Sequence, residues 1–221
     1  VQRTQDGQLV VYHDENLKRL SGVDKFLWQF TWAELQEIDL HSIGDEAKIP
    51  LLSEVLSLFK ETDLLVNIEL KNSLNFYLGM EEEVFQLVSE MDMLDQVLFS
   101  SFNHESMHKM AQLAGGERCA ILTQDVQYEP WNYAKSIGVN VLHPMINSLQ
   151  QPGYIEESHK QGFKVNVWTA NEDVHIYAAF LLGVDAIMTD EPEKAVQLRN
   201  QFHTDGGQEA LETVKKLGLF L

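Results

Sequence analysis

Leu64-Leu65-Val66-Asn67-Ile68-Glu69-Leu70-Lys71 is the stretch on which the reading of this chain turns. Its first three residues are apolar without alternation, the pattern of a strand buried on both faces, as parallel sheets require. Side chains alternate along a strand with period two, so Glu69 and Lys71 project to the same side. They stand where the apolar run ends, at the carboxyl end of the strand. That end is where α/β sheets, open or closed, handle their ligands. A carboxylate can hold a metal and an ammonium a phosphate, so the pair points toward phosphate chemistry. As a bare pair, it equally describes an exposed ion pair at a strand end.

Outward from this strand the chain alternates. Upstream, Leu51, Leu52, Val55, Leu56 and Phe59 recur at helical spacing. Downstream, strands are predicted over 97–102, 118–122, 139–143, 164–168 and 185–189, each pair separated by a helical pattern. Asn103 is a suitable cap for one helix and Gly115 its stop; Asn171 and Gly183 bracket another, and Pro192 opens a third. Six strands thus follow Pro50, and strands alternating with helices mean a parallel sheet joined by right-handed crossovers. Ahead of Pro50, Gln5-Asp6-Gly7 reads as a tight turn between residues 1–4 and a short strand over 9–12. No Gly/Ser- or Pro-rich linker interrupts the chain, so residues 1–221 read as one domain. The stretch 24–48, with Phe26, Trp28, Phe30 and Trp32, reads as a packed connection rather than a lid.

Composition narrows the partners. The 221 residues carry 34 acidic against 16 basic side chains, a formal net charge of -18. That field repels polyanions, so nucleic acid is not an expected partner and no polybasic membrane-binding surface exists. An anionic small substrate therefore needs local help from a side-chain cation or a metal. The one cysteine, Cys119, lies in an apolar stretch and cannot build a disulfide framework, which fits a reducing, cytoplasmic compartment. No run of 18 apolar residues occurs, so no transmembrane helix is expected.

Polar residues gather at predicted strand ends: Glu69, Lys71, Ser100, Ser101, His143, Trp168, Thr189 and Asp190, with His13-Asp14 after the hairpin strand. His13 adds a proton carrier to a metal ligand and a fixed positive charge. Thr4-Gln5-Asp6-Gly7-Gln8-Leu9-Val10-Val11-Tyr12-His13-Asp14 resembles the T-x-D-G-x-x-V-V-x-H-D signature of the glycerophosphodiester phosphodiesterase family. The resemblance continues, in family order, through Ile49-Pro50-Leu51-Leu52-Ser53-Glu54-Val55-Leu56, Ile68-Glu69-Leu70-Lys71, Ser101-Phe102, Val167-Trp168-Thr169 and Thr189-Asp190-Glu191-Pro192. It implies a TIM-type (β/α)8 barrel that hydrolyses glycerophosphodiesters to glycerol 3-phosphate and an alcohol with a divalent cation, Mg²⁺ or Ca²⁺. It further implies that His13 is one of two acid–base histidines, Glu69 a metal ligand and Lys71 a phosphate contact. Phe102 and Trp168 match aromatic positions near the pocket mouth.

The family's H-R-G turn and E-x-D strand, which carry its first histidine and two metal carboxylates, are not in this sequence. Arg19-Leu20-Ser21-Gly22 also departs from R-T-T-x-G. The expectation is a barrel lacking its first strand, first helix and most of its second strand, and inactive by itself. A phosphate-binding or regulatory barrel that has lost catalysis is the second reading. His104-Glu105-Ser106-Met107-His108 fits the H-E-x-x-H zinc pattern, but it sits in the first turn of a predicted helix with no third ligand pattern nearby.

Overall fold

In the computed structural model, which describes residues 1–41, 47–218 and 220, the chain opens with a hairpin. β1 (Gln2–Arg3) pairs antiparallel with β2 (Leu9–Val10), Gln2 opposite Val10. The turn needs Gly7, whose φ of 88° is costly for any side chain. Thr4 Oγ1 accepts from Gln8 N at 2.8 Å and donates to Asp6 at 2.6 Å, closing the loop. β2 is pinned from its other side, where Val10 bridges Leu51 and Val11 N donates to Pro50 O at 2.9 Å.

The chain forms two compact units, Val1–Arg118 and Cys119–Leu221. In the first, α1 (Lys18–Ser21) and α2 (Trp32–Gln36) follow the hairpin. Thr31 and Glu34 cap α2 reciprocally, which satisfies donors that the first helical turn leaves open. Val10, Tyr12, Leu17, Leu27, Leu35, Leu40 and Ile49 form one buried cluster, with Phe30 and Trp32 packed on it. The stretch 24–48 is thus packed connection where it is described; residues 42–46 lie outside the described residues.

α3 (Leu52–Phe59) leads to β3 (Val66–Glu69), then α4 (Met80–Glu90) and β4 (Val97–Ser101), with β3 and β4 parallel and Glu69 opposite Ser100. The buried run expected from Leu64 is shorter than its apolar pattern. Leu64 and Leu65 are 58% and 78% exposed, and the strand begins at Val66. Thr62 accounts for the delay: its N donates to Phe59 O and its hydroxyl accepts from Leu64 N, holding a turn that competes with the strand. α5 (His104–Ala114) has Asn103 as its cap, accepting from Ser106 N at 3.2 Å, and ends at Gly115.

In the second unit β5 (Cys119–Thr123), β6 (Val141–Pro144), β7 (Lys164–Val167) and β8 (Ala186–Ile187) pair in that order, all parallel. α6 (Pro130–Ser136), α7 (Tyr154–Lys160) and α8 (Asp173–Leu182) are the crossovers. α9 (Pro192–Asp205) and α10 (Gln208–Leu217) end the chain, with α10 packed on α8. Asn171 does not cap α8; Glu172 holds that position. The Asn171 amide is committed elsewhere, accepting from Thr189 Oγ1 and Asp190 N and donating to Asp190 Oδ2. Among the described residues no helix is long and apolar enough to cross a membrane.

Candidate active site

The alternation of β3 sorts its residues onto two faces. Ile68 and Leu70 are buried on one face and Asn67, Glu69 and Lys71 lie on the other, and Val66, Asn67, Ile68, Glu69 and Lys71 together line a cavity of about 220 Å³. Val1, Val11, Tyr12, His13, Leu52 and Val55 supply the rest of its wall. The end of β3 is held on both sides. Leu70 N donates to Ser100 O at 2.8 Å, and Lys71 N donates to Val1 O while Val1 N donates to Glu69 O, the slanted pattern of a parallel pair.

Three of the residues expected from sequence meet here. Lys71 Nζ lies 2.8 Å from Glu69 Oε1 and 3.0 Å from His13 Nε2. The Glu69 contact is an ion pair without hydrogen-bond alignment, so Oε1 is buried, balanced in charge, and lacks a hydrogen-bond donor. His13 is the exposed member, at 71% of its side chain, and comes from the segment that follows β2, three residues past its end, rather than from a strand of the parallel sheet. Its place depends on the hairpin: fully buried Gln2 donates from Nε2 to Tyr12 O at 3.0 Å and to Asp14 O at 2.7 Å. The backbone on either side of His13 is therefore clamped by one amide.

Asp14, which sequence reading left without a role, lies 2.9 Å from His13 Nδ1 and takes a two-pronged bond from Arg19 at 2.6 and 3.2 Å. The Arg19 guanidinium holds the Asp14 carboxyl below the usual carboxylate range, partly opposed by burial and aided by His13. The signal that would have found it was the H-D dipeptide itself, read with Arg19 five residues on. Asn67 was likewise missed, although period two places it on the face of Glu69.

The aromatic expectations fare differently. Phe102 is 40% exposed and does not line the cavity that holds His13. Trp168, in the second unit, donates from Nε1 to His143 O at 2.8 Å. His143, at the end of β6, is fully buried; Asn166 Nδ2 donates to its Nε2 at 3.0 Å, and burial pushes its pKa down to about 3. It is a neutral core imidazole, not a residue of an open pocket. Among the described residues no group of three His, Cys, Asp or Glu side chains gathers as a metal centre would require, and none involves His104 and His108.

Comparisons with known proteins agree on one family. The model of the Glycerophosphoryl diester phosphodiesterase family matches residues 1–194. The chain is 39% identical to the uncharacterized protein YqiK of Bacillus subtilis, over 90% of this chain and 84% of that protein. It is 34% identical to a glycerophosphodiester phosphodiesterase of Caldanaerobacter subterraneus, over 90% of this chain and 83% of that one. In structure it resembles an Oleispira antarctica phosphodiesterase solved with its product sn-glycerol-3-phosphate. The TM-score is 0.74 at 24% identity, over 90% of this chain and 83% of that one. The shared fold is α/β, of the TIM-barrel kind.

Proposed function

Because the chain belongs to the glycerophosphoryl diester phosphodiesterase family, we propose that it hydrolyses glycerophosphodiesters to glycerol 3-phosphate and an alcohol. The observation that carries this reading is the convergence of His13, Lys71 and Glu69 within 3.0 Å steps on one cavity. At about 220 Å³ the cavity is smaller than pockets for drug-sized ligands and suits a compact head such as a glycerol phosphate.

Each residue has a part. The Lys71 ammonium neutralises phosphodiester oxygens as charge builds in the transition state, where a fixed charge in a partly dry site acts most strongly. His13 Nε2 faces the same place and moves a proton to or from the attacking or leaving oxygen. Glu69 Oε1, buried and without a hydrogen-bond donor, is the ligand this cavity offers to Mg²⁺ or Ca²⁺. Hard cations take oxygen ligands, and Mg²⁺ is commonly held by one or two carboxylates completed by water and substrate phosphate. When bound, such a cation supplies further positive charge to the phosphodiester.

The test is release of glycerol 3-phosphate from glycerophosphocholine with added Mg²⁺ or Ca²⁺, for the protein and its His13→Ala variant. The expected result is turnover that falls roughly a hundredfold or more in the variant. Equal rates would take His13 out of the chemistry, and no turnover under any cation would refute the hydrolase reading.

A further inference from the structure

His13 is held at both ring nitrogens, and the two holders are not equivalent. An ammonium has three N–H donors and no lone pair. At 3.0 Å from Lys71 Nζ, His13 Nε2 must therefore be the acceptor, and the ring proton must sit on Nδ1. Nδ1–H then donates to Asp14 Oδ1, 2.9 Å away. Arg19 fixes that carboxylate through Nε to Oδ2 at 2.6 Å and Nη2 to Oδ1 at 3.2 Å, a planar fork that a point charge cannot reproduce.

We propose that Asp14, gripped by Arg19, is a positioning residue that fixes His13 as its Nδ1–H tautomer, so that the Nε2 lone pair points at the Glu69–Lys71 cavity. The inference rests on the reading of His13 as the proton carrier, but the tautomer is measurable by itself. The alternatives are chemically distinct. Free neutral imidazole favours the Nε2–H tautomer in water, which would present a proton to the Lys71 ammonium and leave no acceptor in the cavity. Asn at position 14 keeps the shape. With Arg19 occupying its oxygen, however, its –NH₂ faces Nδ1 and demands an acceptor there, which inverts the ring.

The experiment is ¹⁵N NMR of the imidazole side chains, with the His13 signals assigned by their loss in His13→Ala. The expected wild-type pattern is a protonated Nδ1 and a bare Nε2. Asp14→Asn should reverse it or average the two nitrogens. In the same variant kcat should fall by roughly a hundredfold or more while KM moves less than about threefold. Arg19→Lys should keep the wild-type nitrogen pattern with a smaller loss of kcat. A protonated Nε2 in the wild type would overturn the proposal, as would an Asp14→Asn variant with wild-type nitrogen signals and kcat. Expected nitrogen shifts in a protein without hydrolase activity would instead refute the functional reading and leave the tautomer assignment standing.

Discussion

The ammonium of Lys71 is shared between Glu69 Oε1 at 2.8 Å and His13 Nε2 at 3.0 Å, so an incoming phosphate has to draw it from one or both. Replacing it by Met keeps the length and removes the charge. Lys71→Met should lower kcat/KM by roughly a hundred- to a thousandfold, read by steady-state kinetics on glycerophosphocholine. It should also destabilise the fold by about 1–3 kcal/mol, because Glu69 Oε1 stays buried without its counter-charge. His143 makes a different kind of prediction, about pH. Its pKa falls from an ordinary 6.5 to about 3 through burial, so between those values the unfolded chain binds a proton that the folded chain refuses. Stability from this group is complete above about pH 7. It drains as pH falls from 6.5 toward 3, at up to about 1.4 kcal/mol per pH unit. His143→Gln retains an acceptor for Asn166 and cannot titrate. Urea unfolding midpoints from pH 7.5 to 4.5 should therefore fall more gently in the variant than in the wild type. Parallel falls would show that this imidazole is not the one resisting protonation.

Elements hold the site through a polar knot just beyond β3. Asn72 is fully buried: its Nδ2 donates to Ser106 Oγ at 2.8 Å, its Oδ1 accepts from Ser101 Oγ at 2.8 Å, and its carbonyl accepts from Asn103 Nδ2 at 3.1 Å. One residue thus ties the end of β3 to the end of β4 and the first turn of α5, next to Lys71. Asn72→Ala should cost roughly 2–4 kcal/mol by urea unfolding, and Ser106→Ala roughly 1 kcal/mol, since only the first strands several buried partners. A cost for Asn72→Ala no larger than that of Ser106→Ala would mean the knot does not act as a unit. This knot marks the limit of what was legible beforehand. The strands after Pro50, the hairpin turn at Gly7 and the Asn103 cap follow from period, turn chemistry and capping, each a local rule. Where a side chain competes for nearby backbone or bonds across the fold, such rules fail. Thr62 holds Leu64 out of the strand, and the Asn171 amide bonds Thr189 and Asp190 instead of capping α8. The site divides the same way. Glu69 and Lys71 share a face by period two, and His13 lies in a distinctive signature. Asp14 shows in sequence only as the second half of the H-D pair, and its grip by Arg19 needs the turn of α1 to bring that side chain back onto it.

At the scale of the molecule, charge decides which substrates arrive easily. With 34 acidic and 16 basic residues the protein carries a net charge of -18, and many of its cations are already paired, Arg3 with Glu83, Lys18 with Asp24 and Lys71 with Glu69 among them. The far field is therefore negative, and the attraction of Lys71 acts only once a phosphate is within a few ångströms. Salt screens the far field over roughly 10 Å at 0.1 M but leaves a close, partly buried contact nearly untouched. Diesters of different net charge should respond differently. Glycerophosphocholine is zwitterionic and has nothing to gain from screening, whereas glycerophosphoglycerol carries one net negative charge. Raising ionic strength from about 10 mM to about 150 mM should raise kcat/KM for glycerophosphoglycerol by roughly two- to tenfold and leave glycerophosphocholine nearly unchanged. A monovalent salt such as KCl, at fixed divalent cation, keeps the comparison clean. The opposite outcome, a rate for the anionic diester that falls with salt, would mean that the substrate is drawn in by a local positive field stronger than the acidic surface. Lys71, the cavity's side-chain cation, would then have to dominate from a distance.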